Sequence, residues 1–234
     1  MGKQIIVIDG PAGAGKSTAA KRLAARLGAL YLDTGAMYRA CTLRALRLGV
    51  ELTDSDALAE VVDEATVRLE HEEGAEHGAC RVYLDGEDVS DAIRTREVTG
   101  NIHYLASCPA VRERLVRQQQ ALARDASRSV VAEGRDLGSV VFPAADVKVY
   151  LDASVEERAS RRLADLGEAA PSLEELRADI ELRDQRDTGR RVGPLIRTED
   201  AIYVDSSRLT LEEVVERLAQ LAADDTHKRR GGKD

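Results

Sequence analysis

The sequence predicts an α/β fold in which helices flank a five-stranded parallel sheet that carries a small antiparallel insert and a helical lid. Strand-like and helix-like segments alternate along most of the chain, which is typical of parallel sheets covered by helices on both faces. The strand-like runs are continuously apolar, as expected for strands buried on both faces. A length of 234 residues suits one such domain.

Five short apolar runs, each ending in an acidic residue, are the predicted strands of the sheet. They are residues 5–9, 29–33, 129–133, 147–152 and 201–205. Ligands of open parallel sheets bind at the carboxyl ends of the strands. We therefore expect the five acidic side chains to line the edge of the sheet that carries the site.

Helices are predicted between these strands and after the last one. They are residues 16–27, 36–48, 55–64, 110–124, 155–166, 173–187 and 211–222. Three of them begin with a capping box, in which a hydroxyl residue is followed three positions later by glutamate. These pairs are Ser154 with Glu157, Ser172 with Glu175, and Thr210 with Glu213.

Two regions interrupt the alternation within the single core that we predict for residues 1–225. Between residues 65 and 95 the apolar residues change to a period of two, which indicates a small antiparallel insert. The breaker GEAAPS, at 167–172, separates two arginine-rich helices, and we expect residues 154–192 to form a mobile lid. We expect the polar tail, residues 226–234, to be disordered.

Composition narrows the possible partners. The net charge of −8 and the pI near 5.2 argue against a bulk polyanion binder, and only 3% of residues are aromatic, so stacking platforms for nucleic acid are scarce. Three scattered cysteines fit a reducing compartment rather than a disulfide framework. No stretch reaches the roughly 20 apolar residues of a membrane span. We expect a cytoplasmic monomer with no nucleic acid or membrane partner.

The strongest motif is IIVIDGPAGAGKST, in which the spacing Gly10-x-x-x-x-Gly15-Lys16-Ser17 lies between a predicted strand and a helix. This is the context in which such a loop, the P-loop of NTPases, binds nucleotide phosphates. Lys16 would bridge β- and γ-phosphate oxygens, and the Ser17 hydroxyl would bind Mg²⁺. The predicted ATP-binding residues are Gly10, Pro11, Ala12, Gly13, Ala14, Gly15, Lys16, Ser17 and Thr18. The alternative is a glycine-rich turn that merely enters a helix.

The remaining motifs favour a small kinase over other P-loop proteins. The guanine-reading N-K-x-D of GTPases does not occur, and the chain is short for a motor or transporter ATPase. Arginines instead follow strand ends: Arg39 in LDTGAMYR, Arg135 in EGRD, and several in RDQRDTGRR. Arg158, Arg161 and Arg162 share one face of a helix. Any single helical arginine is more often a solvated or ion-paired surface residue.

The chain resembles the bacterial cytidylate kinases from Ile5 to about Leu221. The stretches that carry the resemblance are IDGPAGAGKST, LDTGAMYR, LDGEDVSDAIRTREV, PAVRERLVRQQ, EGRDLGSVVFPAADVKVYLDAS and RDQRD. The run EGRD-x-G followed by VVFP and LDAS separates this family from adenylate, thymidylate and shikimate kinases, which share the first loop but not that run. The insert also matches the small extra sheet in the acceptor-binding region of the family.

The resemblance implies an acceptor site for CMP or dCMP. Arg112 and Asp136 would face the cytosine edge, Asp187 the ribose hydroxyls, and Arg39, Arg135 and Arg190 the phosphate. The helix face with Arg158, Arg161 and Arg162 would belong to a lid over ATP. The predicted acceptor-binding residues are Thr34, Tyr38, Arg39, His103, Arg112, Arg135, Asp136, Arg183, Asp187 and Arg190.

One position departs from the family pattern, since His103 stands where a small hydroxyl residue usually touches the base. Either His103 contacts the base, or it is a polar helix residue beside the site. Asp33 and Glu133 have two interpretations as well: they hold Mg²⁺ through water, or they cap local turns.

The predicted activity is transfer of the γ-phosphate of ATP to CMP or dCMP. Lys16, Arg135, Arg158 and Arg162 are the predicted catalytic residues, and Arg161 is expected to bind ATP. A phosphate dianion is already nucleophilic near neutral pH, so no general base is required. Two alternatives stay open: a kinase for UMP or shikimate, and a nucleotide-binding regulatory module without catalysis.

Overall fold

A computed structural model describes residues 3–71, 80–167 and 171–231. The strands in these residues are β1 (Ile5–Asp9), β2 (Leu30–Asp33), β3 (Val67–His71), β4 (Cys80–Leu84), β5 (Glu87–Asp88), β6 (Val130–Glu133), β7 (Val147–Asp152) and β8 (Ile202–Asp205). The central sheet is parallel and has the order β2-β6-β1-β7-β8. The predicted five-stranded parallel sheet is therefore confirmed.

Helices cover both faces of this sheet. They are α1 (Lys16–Leu27), α2 (Thr34–Arg47), α3 (Ser55–Glu64), α4 (Arg96–Ser107), α5 (Pro109–Asp125), α6 (Val155–Leu166), α7 (Leu173–Thr188) and α8 (Leu211–Gly231). Successive residues of a strand point to opposite faces. Val7 accordingly packs in the core under α2, α3 and α5, whereas Ile6 and Ile8 pack in the core under α1 and α8.

The insert is a small antiparallel sheet with the order β3-β4-β5. Its apolar face, with Val82 and Leu84, packs against Ala36 and Ala40 of α2. This confirms the antiparallel insert. Most of its predicted turn, HEEGAEHGA, lies at residues 72–79, outside the described residues.

The two arginine-rich helices, α6 and α7, pack against each other through Ala159, Leu176 and Ile180. Ser172 and Glu175 form the predicted capping box at the start of α7, and the Ser154 hydroxyl accepts from the Glu157 N–H at the start of α6. Residues 168–170 of the predicted breaker lie outside the described residues. Among the described helices, none is long and apolar enough to cross a membrane.

Three elements differ from the sequence prediction. No element was predicted at 96–107, where the structure has α4, capped by the Thr95 side chain and buried through Val98 and Leu105. Residues Leu137–Val141 form an unpredicted π-helical turn. The last helix was predicted to end at residue 222, whereas α8 continues through Gly231.

Candidate active site

The loop between β1 and α1 has a backbone that only glycine permits. Gly10 has a φ of 149°, and a Cβ there would overlap the carbonyl oxygen of Leu151 on β7. Gly13 and Gly15 also have positive φ angles, 80° and 84°. α1 begins directly afterwards at Lys16, so the positive end of its dipole faces the loop. This geometry fits a phosphate cradle better than a simple turn into a helix.

Lys16 is buried and binds its own loop. Its Nζ atom donates to the carbonyl oxygen of Pro11 at 2.6 Å. Burial, reinforced by repulsion from Arg135, lowers the pKa of Lys16 to about 7. The Lys16 ammonium donates here to a neutral carbonyl oxygen, and a charged phosphate oxygen would accept a stronger hydrogen bond from it.

Side-chain oxygen atoms that could bind a metal ion lie next to this loop. The Ser17 hydroxyl donates to Oε1 of Glu133 at 2.6 Å, and Asp33 lies opposite Glu133 in the register of β2 and β6. Hydroxyl and carboxylate oxygens are the ligands that Mg²⁺ prefers. Asp33 also caps α2, accepting from the Ala36 N–H at 2.8 Å, which confirms the capping interpretation for this residue and explains why α2 starts at Thr34.

A second charged group lies where β6 and α7 meet. Arg135 donates through Nε to Asp187 at 2.7 Å, and Arg190 donates to the other oxygen of the same carboxylate. Burial by itself would raise the pKa of Asp187, but the charges of Arg135 and Arg190 outweigh it and hold the pKa below its usual value. Asp187 therefore fixes the two arginines relative to each other.

Several guanidinium groups at this edge have donors to spare. The Nε atoms of Arg39 and Arg190 are buried and have no hydrogen-bond partner among the described residues. Arg183 makes no ion pair with the described part of the chain; burial, followed by repulsion from Arg135, lowers its pKa to about 10. Buried donors without acceptors and mutually repelling cations favour an anionic ligand.

Arg112 and Asp136 form a buried ion pair beside these arginines. Burial raises the pKa of Asp136 despite the charge of Arg112. The guanidinium of Arg112 also lies over the ring of Tyr38, with 5.9 Å between its Cζ atom and the ring centroid. A guanidinium has several N–H donors and a carboxylate has several acceptor sites, so such a pair can recognise the edge of a base.

His103 lies on α4 at a cavity of about 340 Å³ that Arg186, Arg190 and Ser107 also line. Its Nδ1 atom is 2.8 Å from the carbonyl oxygen of Gly100. A carbonyl oxygen can only accept, so in the neutral ring Nδ1 carries the proton and Nε2 is an acceptor. Burial lowers the pKa of His103, which favours this neutral form.

The helix pair α6–α7 is docked on the phosphate loop through Arg158. This buried side chain donates to the carbonyl oxygen of Ala12 at 2.9 Å and to Asp184 of α7 at 2.5 Å. Asp184 in turn accepts from the Ala12 N–H at 3.2 Å. Both lid helices thus contact the residues that are predicted to surround ATP.

The other two lid arginines differ in their surroundings. Arg161 donates to Glu157 at 2.9 Å and to the Ser206 carbonyl oxygen at 2.7 Å, and it faces Gly15. Arg162 is exposed and makes no hydrogen bond to the described residues. The structure therefore brings Arg158 and Arg161 to the loop and leaves Arg162 with a free guanidinium near Arg183.

Two residues at this site escaped the sequence analysis. Asp184 lies in the stretch RDQRD, in which the sequence analysis assigned ligand-binding roles to Arg183 and Asp187 only. Gly193 has a φ of 58°, and a Cβ there would overlap both Arg112 and Asp136. The dipeptide Gly193-Pro194, shortly after Arg190 and Arg191, was the signal in the sequence for a turn whose backbone lies close to other residues.

Comparison with known proteins agrees with this geometry. A sequence model of the cytidylate kinase family matches residues 6–224. A cytidylate kinase of Geobacillus sp. (strain WCH70) is 48% identical over 92% of this chain and 95% of its own length. A bifunctional pantoate ligase/cytidylate kinase of Trichodesmium erythraeum is 45% identical, and the match spans 94% of this chain but 41% of that protein.

Among solved structures, a gluconokinase from Sinorhizobium meliloti matches with a TM-score of 0.50 and 17% identity, covering 98% of this chain and 97% of that one. At this identity the likeness supports the fold alone. The family match, in contrast, runs from β1 into α8 and includes every element that contributes a side chain to the site. The chain belongs to the cytidylate kinase family.

Proposed function

We propose that this protein transfers the γ-phosphate of ATP to CMP or dCMP, giving ADP and CDP or dCDP. The observation that carries the proposal is a group of arginines at the sheet edge that carries the phosphate loop. The Nε donors of Arg39 and Arg190 are buried without a partner among the described residues, and Arg183 lies among other arginines. Two anion sites at one edge of a parallel sheet are what a phosphotransferase with a phosphorylated acceptor requires.

On the donor side, the backbone of residues 10–18 would hold the ATP phosphates. Lys16 would exchange the Pro11 carbonyl oxygen for β- and γ-phosphate oxygens, because a charge-assisted hydrogen bond is the stronger one. Ser17 would hold Mg²⁺, with Asp33 and Glu133 through water. When bound, the ion neutralises negative charge on the nucleotide. Arg158 and Arg161 would close over ATP, and Arg162 would approach the transferred group.

On the acceptor side, Arg39, Arg135 and Arg190 would hold the CMP phosphate. Arg135 and Arg190 already share Asp187, so the carboxylate pre-orients them and remains available to ribose hydroxyls. An oxygen of the CMP phosphate then attacks the γ-phosphorus in line, and the bond to the β–γ bridging oxygen breaks. The protein contributes position and charge rather than covalent chemistry.

Asp136 and Arg112 would select the base, with Tyr38, Thr34 and His103 around it. The Asp136 carboxylate can accept from the exocyclic amino group of cytosine, whereas uracil would place a carbonyl oxygen there. An unpaired buried polar group costs about 1–3 kcal/mol, so we expect CMP to be preferred over UMP by roughly one to two orders of magnitude in kcat/KM.

A coupled assay of ADP release tests the proposal against its alternatives. The acceptors are CMP, dCMP, UMP, AMP and shikimate, each with ATP and Mg²⁺. We expect turnover with CMP and dCMP that exceeds turnover with the others. Preference for UMP or shikimate would identify another small-molecule kinase, and ADP release with none of them would indicate a binding module.

A further inference from the structure

The carboxylate of Asp9 joins the donor loop to the acceptor loop. Asp9 is the last residue of β1 and immediately precedes Gly10 of the phosphate loop. Its Oδ1 accepts from the Leu137 N–H at 2.9 Å, and its Oδ2 accepts from the Gly138 N–H at 2.8 Å. The residue is 6% exposed, so both bonds are shielded from water.

The segment that Asp9 holds carries the acceptor residues. Arg135 and Asp136 directly precede Leu137, and the segment then winds into the π-helical turn, in which the Phe142 N–H donates to the Leu137 carbonyl oxygen at 2.7 Å. The first N–H groups of such a turn have no acceptor within it. Without the Asp9 carboxylate, two buried donors would be unsatisfied one and two residues after Asp136.

An ionised carboxylate is a costly way to satisfy these two donors. Burial raises the pKa of Asp9, and the bonds from Gly138 and Leu137 lower it; burial outweighs them, so the pKa is about 6. Lys16 attracts the carboxylate and Asp136 repels it. The stem of Lys148 lies beside Gly138, but its ammonium binds Asp200 at 2.6 Å. No described cation pairs with Asp9 through a hydrogen bond, so its role is not that of an ion-pair partner.

We propose that Asp9 is a positioning residue, which sets the acceptor-binding Arg135 and Asp136 at a fixed place relative to the phosphate loop. Phosphoryl transfer depends on the in-line placement of two phosphates, so a small shift between the two loops reduces the rate. This inference rests on the proposed function. It adds a residue that touches neither nucleotide and acts through the backbone of residues 137 and 138.

The variant Asp9→Asn tests this role. Its amide has one acceptor oxygen, and its NH₂ group would face one of the two backbone N–H donors. We expect KM for CMP to rise about tenfold or more, as lost preorganisation implies, while the dissociation constant of a non-hydrolysable ATP analogue changes by less than about twofold. The control is Asp224→Asn, the same change at an exposed position on α8, which should leave both values unchanged.

A pH series separates positioning from a purely structural role. Wild-type Asp9 is ionised only above about pH 6, so its advantage over asparagine should appear as the pH rises through that value. The phosphate of CMP titrates in the same range, near pH 6, but it does so for both proteins and cancels in a ratio. We expect the ratio of wild-type to Asp9→Asn kcat/KM for CMP to increase between about pH 5 and pH 7.

Three outcomes would overturn the inference. The ratio of wild-type to Asp9→Asn kcat/KM for CMP does not depend on pH, the affinities for CMP and for the ATP analogue fall equally, or neither affinity falls. If Asp9→Asn does not fold, Asp9→Glu decides, because it keeps the charge and displaces it by one methylene. A rise in the KM for CMP without a rise in the KM for ATP then supports positioning. An unchanged KM for CMP, or an equal rise for both substrates, rejects it. Failure of the wild-type protein to phosphorylate any acceptor would reject the proposed function instead.

Discussion

At the scale of single residues, the arginines proposed to bind the acceptor are held by neighbouring carboxylates. Asp187 binds Arg135 and Arg190, Asp33 contacts Arg39 at 3.4 Å, and Asp136 binds Arg112. These pairs keep the guanidinium groups in place and leave Nε donors of Arg39 and Arg190 for a phosphate. Little side-chain entropy then remains to be lost when the acceptor binds.

Arg135→Ala removes an arginine that binds Asp187 and whose charge also acts on Lys16 of the phosphate loop. We expect kcat/KM for CMP to fall about a hundredfold or more, since a positioned charge that stabilises the transition state is lost. Binding of an ATP analogue should survive, because the loop around Lys16 remains intact. Steady-state kinetics and calorimetry measure the two effects. Arg128→Ala, at an exposed arginine before β6, is the control, and near-normal turnover in Arg135→Ala would reject the assigned role.

Gly193→Ala tests the close contact of Gly193 with Arg112 and Asp136, the pair proposed to select the base. The backbone there has a φ of 58°, and a methyl group would overlap Arg112 and Asp136. We expect KM for CMP to rise about tenfold and the free energy of unfolding to fall by about 1–2 kcal/mol because of the left-handed conformation. Gly49→Ala has a similar φ of 64° with open space around it, so it should lose stability alone. Equal kinetics in both variants would contradict the contact.

At the scale of elements, the strands of the central sheet and the helices α6, α7 and α8, which begin with a hydroxyl–glutamate pair, were predictable because local signals coincide there. Continuous apolar runs bounded by acidic residues define the strands, and the hydroxyl–glutamate pairs define helix starts. Helix α4 was not predictable in the same way: it contains Gly100 and the β-branched Val98, Thr99 and Ile102, which lower helix propensity. It is stabilised by burial of Val98 and Leu105, which share one helix face with Ile102, and this i, i+4, i+7 spacing was the signal present in the sequence.

The site was predictable to the extent that its residues stand at strand ends. Arg39, Arg135 and Asp136 follow β2 and β6, so the parallel topology alone brings them near the phosphate loop. Asp184 and Gly193 were missed because their roles depend on where α7 and the loop after it pack. Such long-range contacts cannot be read from spacing along the chain.

The lid contact through Arg158 gives a prediction for the α6–α7 helix pair. Arg158→Ala would leave Asp184 without its cation, next to the Ala12 N–H, where its charge would repel the γ-phosphate. A charge-assisted hydrogen bond contributes about 1.5–3 kcal/mol, so we expect KM for ATP to rise about tenfold or more. KM for CMP should change by less than about twofold.

Arg177→Ala is the matched control for the lid, because Arg177 lies on α7 in exposed ion pairs with Glu156 and Glu181. Exposed pairs contribute little, so this variant should behave as wild type. Equal changes in the two variants would show that the docking of Arg158 on the loop has no part in ATP binding.

At the scale of the whole molecule, the two proposed anion sites lie in one folded unit, so we expect ligand binding and stability to be linked. Burial lowers the pKa of Arg183, and the charges of Arg135, Arg39 and Arg162 lower it further, so several like charges lie close together here. An acceptor phosphate would relieve this repulsion and satisfy the buried donors. The folded state alone has this arrangement, so the ligand should raise the melting temperature.

The last prediction compares CMP with cytidine, which has the same base and sugar but no phosphate. A ligand at about 100 times its dissociation constant stabilises the folded state by roughly 2.7 kcal/mol, or roughly 5–10 °C for a protein of this size. We expect that shift with CMP and less than about 1 °C with cytidine at equal concentration, by differential scanning fluorimetry. The CMP shift should also shrink in Arg39→Ala, which removes one buried donor. Equal shifts for the two compounds would mean that the protein binds CMP through the base and sugar alone. Arg39, Arg135 and Arg190 could not then be the site for the acceptor phosphate.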